Sequence, residues 1–332
     1  LREMFTYTIK RLLQSLLVVW AAVTLMFALF FIIPGDPISL KSGEKSLPPE
    51  ILDNIERKYG LDKPTYVQYF RFWGNLFRGD LGYSYKNDKS VNTILQDGLS
   101  TSARLLFWGA LFQLIIALAV GLTSAIKRGS LGDRLGTVFS VGIQGIPVFV
   151  SGLLAQYLFG VLPFQMGWDW LNFFKPWPQT WTLGIIPTDS WKGLILPALV
   201  VAVVDAAFIA RMLRSSLLEV LRADYIRTAF AKGLSPRRVW LHHALRNAMI
   251  PVVTVYGTSL IAIFGVAVQT EKVFSLPGMG STIADSALSQ DAPVVLGLAI
   301  VVIAFGAFVN LVVDLSYALI DPRIKIDSKV VH

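Results

Sequence analysis

The 332 residues contain no cysteine and only three histidines. The absence of thiols removes disulfide frameworks, thiolate metal sites and cysteine nucleophiles together, and leaves the compartment open. Charge is also scarce, with Asp, Glu, Lys and Arg making up 16% of the chain. No GxxxxGK followed by Ser or Thr occurs, so the chain has no Walker-type loop to cradle nucleotide phosphates. Neither GxSxG nor HExxH is present, which argues against a membrane hydrolase. The adjacent His242 and His243 point about 100° apart on a helix and do not form an i, i+4 metal pair.

Apolar residues, in contrast, reach 54%. They are gathered into runs of about 20 residues that are apolar on every face, the length needed to cross roughly 30 Å of hydrocarbon. The expected spans run from about Leu12 to Ile33, Leu105 to Ile126, Val138 to Leu162, Leu194 to Met212, Pro251 to Thr270 and Val294 to Tyr317. The first run ends in IIPGDP without a small-x-small cleavage pattern, so it reads as a retained span rather than a leader. An even number of spans puts both ends on one side. The N-terminus, the 127 to 136 loop, the 211 to 250 loop and the C-terminus hold 17 of the 30 Lys and Arg but only 6 of the 22 Asp and Glu. The positive-inside rule therefore predicts cytoplasmic termini. The net charge of +8 lies mostly beside membrane ends, where it meets anionic lipid, and no base-reading module accompanies it. Nucleic acid is not an expected partner.

Between the first two spans, residues 36–102 are too long for a turn and show two helical patterns, so a small folded extracytoplasmic cap is expected. Ile51, Leu52, Ile55 and Tyr59 share one face behind Pro48 and Pro49. Tyr66, Tyr69, Phe70, Trp73, Leu76 and Phe77 form an aromatic stripe that either packs against the spans and the interfacial belt or docks a partner. The 163 to 193 segment, rich in Trp and Pro, reads as an interfacial loop. The resulting division is 1–35 for the N-terminus and first span, 36–102 for the cap, 103–320 for a five-span core and 321–332 for a tail.

The 211 to 250 loop is much longer than a connector needs. Ser215 to Lys232 reads as one amphipathic helix with Leu218, Leu221 and Tyr225 aligned, ended by Gly233 in a left-handed conformation. Ser235 then caps a second helix that has Pro236 at its first position. Such an elbow suits a groove on a soluble partner, or else lies on the membrane surface.

Here the residues resemble a known family. ARMLRSSLLEVLRADYIRTAFAKGLSPRRVWLHHALRNAMIP, from Ala210 to Pro251, is similar to the coupling loop of binding-protein-dependent ABC importer permeases in their peptide-class form. PGDP at 34–37, KYGLDKP at 58–64, RGDLGYS at 78–84, GIPVF at 145–149, EKVFSLPGMG at 271–280 and NLVVDLSYALIDPRI at 310–324 resemble family signatures in the family's order. Where the general motif reads Glu-Ala-Ala and later Gly, this chain has Arg227, Thr228, Ala229 and Gly233, as is usual in the peptide class. Gly265-Val266 replaces a common Gly-Gly pair.

The resemblance implies an all-α membrane protein with six spans of the type I importer permease kind, located in a bacterial or archaeal cytoplasmic membrane. It implies a transport subunit without its own cofactor. ATP and Mg would sit on two cytoplasmic ATPase subunits; a homologous second permease and an extracytoplasmic substrate-binding protein would complete the assembly. The expected cargo is oligopeptide or dipeptide, with nickel complexes, haem or oligosaccharides as family alternatives. Tyr225, Arg227, Ala229, Lys232 and Gly233 would lie at the ATPase contact, with Glu219, Asp224, Ser235 and Pro236 shaping the loop.

Polar residues inside spans are costly and so are candidates for function. Asp205 faces the pathway, pairs with a neighbouring subunit or belongs to a shorter span. Asp314, with Asn310 in the same shared segment, makes a structural ion pair or helix contact, or faces the pathway. Gln144, Gly145 and Pro147 interrupt the third span and bend it, which opens backbone groups toward a cavity. An ion-coupled secondary transporter would instead show inverted repeats and several midplane ligands, and a scaffold would need no route at all.

Overall fold

A computed structural model describes residues 2–31, 62–168 and 191–320. The first helix of the expected cap, most of the Trp-rich loop and the C-terminal tail lie outside the described residues. Among those described, the chain is helical, and the only strand-like feature is a single antiparallel bridge between Tyr83 and Ser90. The helices are α1 (Arg2–Phe31), α2 (Thr65–Phe77), α3 (Val91–Ile126), α4 (Leu131–Gln144), α5 (Val148–Gln165), α6 (Trp191–Val220), α7 (Asp224–Ala231), α8 (Pro236–Val273), α9 (Met279–Leu288) and α10 (Ala292–Ile320). Six of them, α1, α3, α5, α6, α8 and α10, are long and apolar enough to cross a membrane.

Two expectations are corrected. The third span is not continuous from Val138 to Leu162. α4 ends at Gln144, Gly145 closes it, and Pro147 takes an extended conformation (φ −56°, ψ 141°) before α5 begins at Val148. A proline cannot donate to the preceding turn, and its ring disfavours the α conformation of the residue before it, so the helix restarts. A π-helical turn, Tyr157–Val161, further interrupts α5. The second correction concerns Ser215 to Lys232. α6 continues through Val220, a turn occupies 221–223, and only Asp224–Ala231 forms the separate α7. The shared periodicity hid the turn because Leu218 and Leu221 continue the apolar stripe of α6.

The chain divides into two compact units. In the first, Leu1–Ser102 with Pro277–Leu311, the aromatic face of α2 packs inward: Phe72, Trp73 and Leu76 join Val23 of α1 and Leu296 and Ile300 of α10. The Tyr69 hydroxyl lies 2.9 Å from that of Thr24. Tyr66, Phe70 and Phe77 remain exposed along one edge of that face, with the Phe77 ring 5.6 Å from that of Trp73. Asp291, just before α10, is buried; it accepts hydrogen bonds from the Ser84 hydroxyl (2.5 Å) and the Tyr85 amide (3.0 Å), which fixes the turn around the Tyr83–Ser90 bridge.

The second unit, Ala103–Leu276 with Val312–His332, has two apolar cores. One gathers Leu105 of α3, Leu194 to Val201 of α6, and Ile263 and Ala267 of α8. The other, toward the elbow, joins Ala117 of α3, Ile209, Leu213 and Leu217 of α6, Ile226 and Ala229 of α7, and Val239 to Val252 of α8. Close approach depends on small residues, as is general for helices in lipid. A Cβ placed on Gly257 would come 2.2 Å from Cγ2 of Val313, so α8 and α10 meet only because that side chain is absent.

Candidate functional site

The elbow is α6, the 221–223 turn, α7 and the start of α8. The turn closes with hydrogen bonds from Arg222 N to Glu219 O (3.1 Å) and Ala223 N to Val220 O (3.0 Å). α7 ends in a paired cap: Gly233 N donates to Phe230 O (2.9 Å) and Leu234 N to Ala229 O (3.4 Å), with Gly233 at φ +76°. This is the Schellman arrangement, and it needs a residue that adopts positive φ without strain. Ser235 follows in extended conformation; its carbonyl receives Arg238 N and Val239 N, but its hydroxyl makes no capping bond. Pro236 occupies the first turn of α8, where its missing N–H costs nothing.

Ile226 and Ala229 are buried in the elbow's own core, which makes the protrusion stiff. Ala229 thus supports the elbow from within and is not presented on its surface. Tyr225, Arg227, Lys232 and Gly233 are exposed, and so are Asp224, Ser235 and Pro236. Asn247 donates to the Tyr225 hydroxyl (2.8 Å), which ties α7 to α8. Arg227 and Asp224 lie 3.7 Å apart and are both largely in solvent, a pair that contributes little stability. Glu219 is exposed on the last turn of α6 rather than on α7. Phe230 and Leu241 are exposed apolar residues of the elbow that periodicity alone did not single out. His242 and His243 sit on a π-helical turn, Val239–Ala244, with rings 5.7 Å apart and nearly perpendicular.

Above the elbow, two arginines of α6 grip α4. Arg214 Nε donates to Asp133 Oδ1 (2.8 Å) and its Nη2 to Oδ2 (3.0 Å), while Gly129 N donates to Oδ2 (2.9 Å). Hydrogen bonding from Arg214, then from the Gly129 amide, holds the Asp133 carboxyl below the ordinary carboxylate range. Arg211 donates to the Ser140 carbonyl (3.0 Å) and to Gln144 Oε1. Gln144 is therefore the far end of a clamp, and Pro147 is exposed at the break just beyond it. No periodicity reveals Arg211, Arg214 and Asp133 as a group, because their meeting depends on how α4 folds back.

A second polar group lies inside the spans. Ser259 of α8 donates to Asp205 Oδ2 of α6 (2.7 Å) and accepts from Gln113 Nε2 of α3. Among the described residues, buried Gln113 Oε1 has no hydrogen-bond partner. Asn310 is exposed on α10. Asp314 lies on α10, but its side chain is outside the described residues, so the structure does not place Asp205, Asn310 and Asp314 in one cluster.

Residues 117–326 match the family described as binding-protein-dependent transport system inner membrane component, and residues 4–106 match its N-terminal companion. The chain belongs to this family. It is a membrane permease component of such a transport system, and its six long apolar helices make it a multi-pass membrane protein. This permease is 39% identical over 332 residues to the di/tripeptide transport system permease protein of Pseudomonas aeruginosa, covering 96% of this chain and 98% of that protein. It is 35% identical over 328 residues to the oligopeptide transport system permease protein of Haemophilus influenzae, covering 97% and 100%. Among solved structures, the inward-facing MetNI methionine ABC transporter is similar at 17% identity with a TM-score of 0.52, over 69% of this permease and 96% of that chain. That likeness establishes the fold.

Proposed function

We propose that this permease forms half of the membrane route of an ATP-driven importer of short peptides, delivered by an extracytoplasmic binding protein. End-to-end similarity to permeases named for di/tripeptide and oligopeptide transport carries the reading. A homologous second permease would supply the other half of the route. Two cytoplasmic subunits would bind ATP and Mg and hydrolyse the nucleotide, since this chain lacks a P-loop of its own. Both termini and the elbow would face the cytoplasm, where basic residues concentrate.

The elbow's geometry fits the role of a coupling lever. Its inner face is locked by Ile226 and Ala229, and its outer face offers Tyr225, Arg227, Phe230 and Lys232 to a groove. A rigid projection transmits displacement, whereas a flexible loop would absorb it. Movement of an ATPase partner between ATP-bound and ATP-free states would then bias the arrangement of the spans.

The test is reconstitution of this permease with its sister subunit, ATPases and binding protein in proteoliposomes. Peptides of graded length should compete for uptake, whereas nickel chelates, oligosaccharides and haem should not. Competition by one of those cargoes, with peptides inert, would overturn the peptide assignment. The isolated chain should neither hydrolyse ATP nor transport.

A further inference from the structure

A carboxylate in the middle of a span is costly unless it meets a cation, water or a fixed hydrogen-bond network. Asp205 has part of this within its own chain. Ser259, 9% exposed, donates to Oδ2 at 2.7 Å, and behind it stands Gln113, fully buried. Among the described residues no cation pairs with Asp205. The nearest arginines on its own helix, Arg211 and Arg214, are committed to α4. Among these residues the carboxylate is therefore held by the Ser259 hydroxyl and not by a cation.

Its surroundings show which way it faces. Asp205, Phe208, Met212, Ser215 and Glu219 fall within one arc of about 80° on α6. Phe208, Ser215 and Glu219 are exposed, and Asp205 and Met212 are half-buried. Beside it, the exposed face of α8 is Thr254, Thr258, Ala262, Gly265 and Gln269, again one arc of about 80° and without a large apolar side chain. The contrast with α1 is plain: there Leu13, Leu16, Leu17, Val18 and Leu25 are exposed, as a lipid-facing helix requires. A face of threonine, glutamine, glycine and alanine is suited to a wet passage.

We propose that Asp205, held in place by Ser259 and Gln113, receives the terminal ammonium group of the peptide midway along the route. The chemistry is a charge-assisted hydrogen bond to the carboxylate oxygen that Ser259 leaves free. Gln113 and Ser259 act as positioning residues: Gln113 donates to the Ser259 oxygen, which directs the single Ser259 proton at Asp205. The inference rests on the peptide reading given above.

The whole transporter in proteoliposomes, with its binding protein, tests it. Uptake of a tripeptide with a free amino terminus is compared with uptake of its N-acetylated form. Asp205→Asn should lower uptake of the free-amine peptide by about tenfold, the lower end of what one hydrogen bond to a charged group contributes, and leave the acetylated form unchanged; Asp205→Glu should keep the preference. Equal loss for both peptides, or no loss for either, overturns the inference. Because the native chain has no cysteine, Asp205→Cys gives a second readout on the assembled complex. Its thiol should react with a cationic thiosulfonate added in water, more slowly when free-amine peptide saturates the transporter. No reaction, as expected if lipid or a sister helix covers the position, overturns the proposal, and this arm decides alone if the wild-type complex refuses the acetylated peptide. A wild-type complex that imports neither peptide would instead sink the peptide reading itself.

Discussion

Arg214 of α6 holds Asp133 of α4 through two parallel hydrogen bonds of 2.8 and 3.0 Å, and Arg211, one turn earlier, reaches the far end of the same helix. α4 precedes the break at Gly145 to Pro147 that leads into the third span, α5, and α6 is the helix that runs into the elbow. The fork geometry of guanidinium on carboxylate resists rotation as well as separation. A displacement of the elbow end of α6 is therefore expected to act on α4 directly through these side chains.

Replacing Arg214 with Lys keeps the charge but loses the fork. The variant should assemble normally yet import less peptide per ATP hydrolysed. Unchanged stoichiometry of uptake to hydrolysis would show that the clamp does not transmit motion.

The clamp also has an acid limit. The Asp133 carboxyl is depressed in the folded protein, so its stabilisation is fully present above the unfolded carboxylate value of about 3.9 and is lost as pH falls through the lower folded value. Asp133→Asn should lower the thermal midpoint of the purified complex at pH 7, and the difference from wild type should narrow below about pH 4. A gap that instead widens in acid would contradict this sign.

Gly233 sits at φ +76° with open space around it, so conformation rather than crowding limits what can replace it. Gly233→Val should strain the elbow by about 1 to 3 kcal/mol. The six spans should still insert and pair. Hydrolysis that no longer responds to loaded binding protein is the expected phenotype, measured as the ratio of stimulated to basal ATPase rate.

Gly257 poses the opposite problem, since its backbone is unremarkable and the space is filled by Val313. Gly257→Ala should destabilise by overpacking, about 1 to 3 kcal/mol, seen as a lower melting temperature in detergent. A paired Val313→Ala change should restore it.

Asp291 offers a test in the other unit. Removing its carboxylate in Asp291→Ala takes away the acceptor shared by Ser84 and Tyr85, at a cost of about 1 to 3 kcal/mol. Hydrogen exchange should accelerate at amides of the 83–90 turn, while amides of the α8 span stay protected.

The sequence by itself determined the membrane character, the six spans and the elbow's closing turn. Uniformly apolar runs have only one solvent in which they are stable, and a glycine followed by Ser-Pro leaves the backbone few choices. It also marked Asp205, because an acid within an apolar run is conspicuous without any coordinates. Tertiary structure decided the rest. The end of α6 at Val220 was masked by a stripe that continues through Leu221, so only the observed turn separates α6 from α7. Ala229 lies in the stretch that resembles a coupling loop but faces inward, because α7 is seated on Leu213, Leu217 and Val239. Ser259, Gln113, Asp133 and Arg214 are ordinary residues in the linear chain. They acquire roles because helices distant in sequence bring their hydrogen-bonding groups within 3 Å of one another, and a periodicity of 3.6 residues holds no information about which helix lies alongside.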